Sequence, residues 1–303
     1  MIVQNAASSL GGLPSIEFSS VAPGIILALA GILLLTVVSV ANDRLPTWFT
    51  AVWTISAGVA ALCTVFRLWI RVGDWGPLGL MDGAVMLDRF SLFVIGTLCV
   101  AVVIGALLLH GYLSREDLDG PEWYVLMLLA AAGGTTMASA NDLIVLFIGL
   151  EILSISVYIL SAMHRRLMSS LEAGLKDFVL GAFASAFLLY GIAMTYGATG
   201  STNLGRIQAY LSANVLTQNG LLLGGIALML VGFGFKVAAV PLHQWAPDVY
   251  QGAPTPVVAF MAAAVKAAAF AGMIRVFVLA LGPAYREEWQ PMVLALAVLS
   301  LLV

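Results

Sequence analysis

The sequence predicts an all-α integral membrane protein, a polytopic bundle of transmembrane helices. Three observations lead there. Of the 303 residues, 61% are hydrophobic and only 10% are charged, against roughly 25% charged in an ordinary soluble domain. Mean hydropathy is +1.03. Apolar runs of about 20 residues, long enough for a helix to cross hydrocarbon, recur along nearly the whole length. Lipid offers no partner to a free backbone N–H or C=O, so each run must be helical. No segment alternates with the period of two that a membrane barrel needs.

In chain order, spans are expected at about Val21 to Ala41, Thr47 to Phe66, Phe90 to Tyr112, Tyr124 to Ala140 and Leu143 to Met163. Further spans follow at about Glu172 to Tyr196, Leu221 to Val240 and Val257 to Leu281, and a ninth begins near Pro291. The connections are short and carry breakers: Asn42, Asp43 and Pro46, then Ser114 to Pro121, then Asn141 and Asp142. The first twenty residues contain no Lys or Arg, so Val21 onward reads as a retained span rather than a cleaved leader. The ninth span is apolar up to Val303, and the polypeptide is expected to run on beyond it.

The net charge of −3 is small and scattered, and the only basic cluster is the pair Arg165 and Arg166, so a nucleic-acid partner is excluded. Cys63 and Cys99 lie inside apolar segments without CxxC or Cys/His spacing, which assigns redox chemistry to other polypeptides. Charge bias does not orient the chain: Arg44, Arg115, Arg165 and Arg166 face one side, and Arg67, Arg71, Arg89, Arg206 and Arg286 the other.

Thirteen residues are Lys or Arg, yet only three are lysines, and all three fall in or at the edge of apolar segments. A buried ammonium can give up its proton, whereas a guanidinium effectively cannot. Lys266 lies nine residues after Val257 and fifteen before Leu281. The nearer helix end is roughly 13 Å away at 1.5 Å per residue, too far for snorkelling. Intramembrane charges are costly and usually functional, although a fixed pairing with a carboxylate stays open. Lys236 follows Gly232 and Gly234 and precedes Pro241, a composition for a locally broken helix facing a wet cavity. An interfacial, snorkelling Lys236 is the alternative.

Glu151 stands far inside the fifth span, with Ser154 and Tyr158 at i+3 and i+7 on the same face. It reads as part of a hydrated stripe, or as a structural hydrogen bond between helices. Lys176 is flanked by Glu172 and Asp177, so an interfacial salt bridge competes with a functional role. The segment from His243 to Pro256 reads as an ordered connector, held by Pro247, Pro254 and Pro256 with Gly252 permitting a turn. His243 is either a proton entry or exit point or a hydrogen-bonded structural residue.

Two stretches carry a family resemblance: PLHQWAPDVYQGAPTPVVAF, from Pro241 to Phe260, and EAGLKDFVLGAFASAFLLYG, from Glu172 to Gly191. They closely resemble the N-type antiporter-like subunits of bacterial NADH:quinone oxidoreductase, the mitochondrial subunit 2 type. The likeness covers about Tyr124 to Leu281, and the first three spans agree with the family's extra N-terminal helices. It implies an antiporter-like fold with two inverted five-helix repeats, each holding a discontinuous helix. Residues 1–115 would be three N-terminal helices, 116–284 the first repeat and 285–303 the start of the second.

The resemblance further implies that Glu151 pairs with Lys236 and that Lys266 continues a hydrated proton path. Lys176 would match a further family lysine, though Asp177 follows it where an aromatic residue is expected. The chain itself would carry no cofactor; FMN, iron–sulfur clusters and quinone would belong to partner membrane and peripheral subunits. Its place would be the inner (plasma) membrane of a bacterium, as a multi-pass subunit in the lipid bilayer. The alternatives are an Mrp-type cation/proton antiporter or membrane hydrogenase subunit, and a passive structural subunit.

Overall fold

The computed structural model describes residues 17–41, 46–118, 120–214, 219–282 and 284–303. The breakers Asn42 and Asp43, and Arg44 beside them, lie outside the described residues. The first helices are α1 (Ala22–Ala41) and α2 (Thr47–Trp75). A short hairpin follows, β1 (Leu78–Leu80) with β2 (Val85–Leu87), antiparallel with Gly79 opposite Met86. Next come α3 (Arg89–Arg115), α4 (Glu122–Ser139), α5 (Leu143–Ser161) and α6 (Met168–Thr199). The connector helix α7 (Leu204–Ala213) leads to α8 (Gly220–Val237) and α9 (Trp245–Gly252). Helix α10 (Thr255–Ala280) and α11 (Arg286–Leu302) complete the chain.

Among the described residues, seven helices are long and apolar enough to cross a membrane. Helix α4 coincides with an expected span yet is not one of them. Gly133, Gly134, Thr135, Thr136 and Ser139 make it less apolar, and most of its residues are buried by neighbouring helices rather than facing lipid. Helix α5 shows the opposite pattern, with Ile144, Ile148, Ile152, Ile155 and Ile159 exposed along one face. Such a stripe is suited to lipid or a partner helix and not to water. Helix α2 runs nine residues past the expected end at Phe66, because Arg67 and Arg71 mark the edge of the apolar run and not the end of the helix. Arg71 continues the fold there by pairing with Glu17 at 3.1 Å.

Helices α4 and α5 pack against each other through glycines. A Cβ at Gly149 would lie 2.7 Å from Met137 N, and one at Gly133 would lie 2.7 Å from Gly149 O. The backbones therefore touch without intervening side chains, as small residues allow in membranes.

The hairpin and α7 were not anticipated, because both lie in polar stretches too short for a span. Together they close one face of the bundle. Gly83 O accepts hydrogen bonds from Asn141 Nδ2 at 2.7 Å and from Asn203 Nδ2 at 2.9 Å. Asp142 caps α5 through Ile144 N and accepts from Thr202 Oγ1 at 2.6 Å.

Arg275 locks α10 to this face. Its side chain is fully buried, and it donates through Nε to Ala138 O at 2.7 Å and through Nη2 to Asp88 Oδ1 at 2.9 Å. Asp88 in turn caps α3, accepting from Ser91 N at 2.7 Å. One guanidinium thus satisfies the last turn of α4 and steadies the first turn of α3. Removing it would take the donor from Ala138 O and from Asp88, and a lost hydrogen bond to a charged group costs about 1.5–3 kcal/mol. Arg275→Ala is therefore expected to lower the thermal stability of the purified membrane protein markedly, with Arg275→Lys intermediate. Thermal denaturation in detergent measures it, and an unchanged midpoint for the Ala variant would refute the anchoring role.

Candidate functional site

Helices α5 and α6 run antiparallel, and each turns one polar face to the other. On α5, Glu151, Ser154 and Tyr158 recur at helical spacing. On α6, the buried positions Gly174, Asp177, Gly181 and Ser185 form the matching stripe. Glu151 Oε1 accepts from Ser185 Oγ at 2.5 Å. One turn or two further along, Gly181 faces Tyr158: a Cβ there would collide with the tyrosine Oη. The glycine leaves the space through which the phenol reaches across α6. Ser154 Oγ is buried in the same seam with no hydrogen-bond partner.

Tyr158 is aimed at Lys236. Helix α8 stops one residue after that lysine, and Ala238 turns the chain with a left-handed φ of 58°. Ala239 N returns to Gly234 O at 2.8 Å, and Trp245 Nε1 from α9 donates to Phe235 O at 2.9 Å. Trp245 also stacks on Phe235 at 5.3 Å. These bonds satisfy carbonyls freed by the break, which an open helix end in hydrocarbon requires. The discontinuous helix expected from Gly232, Gly234 and Pro241 is thus α8, the break and α9. The segment expected as an ordered connector, His243 to Pro256, contains an eight-residue helix, which tolerates Pro247 in its first turn, where a missing N–H is harmless.

Lys236 is buried, 6% exposed, and its Nζ donates to Tyr158 Oη at 2.8 Å while lying 4.7 Å from the centre of the same ring. Among the described residues no ion pair joins it to Glu151. The resemblance implied a direct pair, but Glu151 is seven residues from Tyr158 on α5, roughly 10 Å along the helix. The phenol takes the contact with the ammonium, and Ser185 holds the carboxylate.

Lys266 lies in the middle of α10, immediately after a π-helical turn at Met261–Val265. Such turns interrupt the regular ladder and frequently mark functional positions. Its Nζ sits 5.3 Å from the ring centre of Tyr250 on α9, a cation–π arrangement. Lys176 takes the interfacial role: it pairs with Asp248 at 2.6 Å and Glu172 at 2.7 Å beside a polar pocket, tying α6 to α9. His243 lies in the break, half-buried, with Nδ1 buried and unpartnered.

Sequence reasoning missed Asp177, Tyr250 and Arg275 as site or anchoring residues. Asp177 is 2% exposed and leaves Oδ2 without a hydrogen bond. Its position next to Lys176 suggested a surface pair. Successive helical residues diverge by about 100°, so Lys176 reaches outward while Asp177 faces the seam. Read together, Lys236, Tyr158, Asp177, Tyr250 and Lys266 are groups able to accept and donate protons, held between α5, α6, α8, α9 and α10.

Comparison with known proteins gives the family and the fold. Residues 140–303 match the family described as NADH:quinone oxidoreductase/Mrp antiporter, TM. The NADH-quinone oxidoreductase subunit N of Myxococcus xanthus is 44% identical over 273 residues, covering 89% of this chain and 51% of the relative. The subunit N of Trichlorobacter lovleyi is 39% identical, covering 95% of this chain and 58% of the relative. The chain therefore spans about half the length of the curated relatives it matches. A chain of respiratory complex I from Thermus thermophilus superposes with a TM-score of 0.69 at 36% identity, over 84% of this chain and 53% of that one. A chain of the Mrp complex from Dietzia sp. shares the fold, with a TM-score of 0.75 at 19% identity, over 92% of this chain and 52% of that one. The fold is accordingly antiporter-like, and the chain belongs to the NADH:quinone oxidoreductase/Mrp antiporter transmembrane family.

Proposed function

We propose that the chain is a proton-translocating membrane subunit of a bacterial NADH:quinone oxidoreductase, resident in the inner membrane. The observation that carries this reading is the buried Lys236 at a helix break, hydrogen-bonded to Tyr158 inside a polar seam. A relative 44% identical and named as subunit N supports the same assignment. Residues 116–284 form the conducting repeat, and 1–115 flank it. Hydride, flavin, iron–sulfur and quinone chemistry belongs to partner subunits.

In this mechanism Lys236 holds the proton and Lys266 receives it, with Tyr158 orienting the first ammonium and Glu151, poised by Ser185, supplying negative charge to the seam. A unit charge that arrives or leaves about 4 Å away is worth about 4 kcal/mol at an effective dielectric of 20. That is enough to decide whether an ammonium keeps its proton. Lys176 anchors α9 to α6 through its two carboxylates. His243, in the break, is a group through which a proton enters or leaves the path.

Two experiments test the relay. Tyr158→Phe removes the hydroxyl that, among the described residues, accepts the hydrogen bond of Lys236, and Gly181→Ala displaces the same phenol. A hydrogen bond to a charged group contributes about 1.5–3 kcal/mol, so each variant should pump roughly tenfold more slowly or worse, with assembly retained. Proton uptake by vesicles energised with NADH and a quinone measures it, and parental rates in both variants would remove Tyr158 from the path.

Lys266→Arg separates relay from fixed charge. Arginine keeps the cation over Tyr250 but holds its proton throughout. It should therefore impair pumping about as severely as Lys266→Ala in fully assembled complexes. Full pumping by the arginine variant would exclude Lys266 from proton transfer.

A further inference from the structure

The charges buried in the seam do not match as the family resemblance suggests. Lys236 has a phenol as its hydrogen-bond partner and, among the described residues, forms no ion pair. Glu151 is engaged by Ser185. A second carboxylate, the buried Asp177, stands one turn before Gly181 on the same inward face of α6, and Gly181 lies against the Tyr158 hydroxyl to which Lys236 donates. Asp177 is 2% exposed and its Oδ2 has no hydrogen-bond partner. A buried carboxyl without partners is stable only when it carries a proton or is matched by a cation. The cation at hand is Lys236, itself the group assigned to carry the mobile proton.

We propose that Asp177 is a proton-carrying partner of Lys236, accepting its proton within the seam between α5, α6 and α8. The inference rests on the relay reading above and adds a station to it. In the step, an N–H bond of the Lys236 ammonium breaks toward the Tyr158 hydroxyl that accepts it, the hydroxyl releases its own proton, and an O–H bond forms at Asp177 Oδ2. Ammonium and carboxylate become amine and carboxylic acid, so the net charge of the seam is unchanged and no co-reactant is needed. Proton transfer between matched buried groups avoids leaving an isolated charge in hydrocarbon.

Tyr250 extends the cluster toward the second lysine. Its Oη is buried without a hydrogen bond, and the Nζ of Lys266 lies 5.3 Å from its ring centre. Helix α6, which carries Asp177, packs against both α8, which carries Lys236, and α9, which carries Tyr250. Lys176, next to Asp177 in sequence, is fully occupied by Glu172 and Asp248 and does not compete for it.

The test uses the intact complex in vesicles, energised with NADH and a quinone, and reads protons pumped per NADH oxidised. Asp177→Asn keeps the size of the side chain but removes its ability to carry a proton, and Asp177→Glu restores that ability. Loss of most proton pumping in the Asn variant, with recovery in the Glu variant, is the expected result; a merely structural residue would follow size rather than titration. Parental pumping in the Asn variant, or equal loss in both, overturns the proposal. Should the Asn variant fail to assemble, assembly and pumping regained by Asp177→Glu but not by Asp177→Leu supports it, and any other pattern overturns it. Lys236→Ala is measured alongside. Loss there with a parental Asn variant sinks only the role of Asp177, whereas parental pumping by Lys236→Ala sinks the relay and this inference together.

Discussion

An ammonium group held in hydrocarbon must be matched on every side by something polar, and the bundle is organised around meeting that demand for Lys236. The lysine ends α8, where the backbone itself becomes a source of unsatisfied carbonyls. Trp245 closes one of them from α9, and the αL turn at Ala238 returns N–H groups to others. The break therefore lets the chain change direction inside the protein without exposing bare backbone to lipid. The same geometry leaves the lysine Nζ facing α5 and α6, where Tyr158 receives it.

The approach of those helices depends on residues that carry no chemistry. Gly181 admits the phenol of Tyr158, and Gly133 and Gly149 let α4 pass α5 at backbone contact. A larger side chain at either place would separate the elements by ångströms, and hydrogen bonds weaken steeply over that range. Arg275 works from the opposite end. It fixes the last turns of α10 against α3 and α4 and so holds Lys266, nine residues earlier in the same helix, at a set depth. Packing and polar chemistry are not separate layers here: small residues set the distances at which the titratable groups meet.

The polar groups divide by environment. Lys176 sits at the rim, exposed enough to be stabilised by two carboxylates and water. Lys236 and Asp177, next along the inward faces of their helices, are almost wholly removed from solvent. Lys266 occupies a middle position over the ring of Tyr250. Charges at the rim gain little from their pairs, whereas charges in the interior respond strongly to any neighbour that moves. A proton path needs the second kind, and an assembled scaffold needs the first.

Composition and apolar run length were enough to establish that this chain is a helical membrane bundle, because hydrocarbon permits few alternatives. The placement of three lysines among apolar residues pointed to Lys236 and Lys266, and the glycines and proline around Lys236 marked a broken helix. Those signals are local, and they survive in one dimension. Which groups touch did not. That Tyr158 rather than Glu151 meets Lys236, that Asp177 faces inward while Lys176 faces out, and that Tyr250 lies against Lys266 were decided by the rotation and crossing of α5, α6, α9 and α10. Helical spacing specifies which residues share a face, but the neighbour that face meets is set by close packing between helices far apart in sequence. Arg275, fully buried in the tertiary structure, looked in the sequence like any arginine near the end of an apolar run. Only the fold of Asp88 and Ala138 around it made it an anchor.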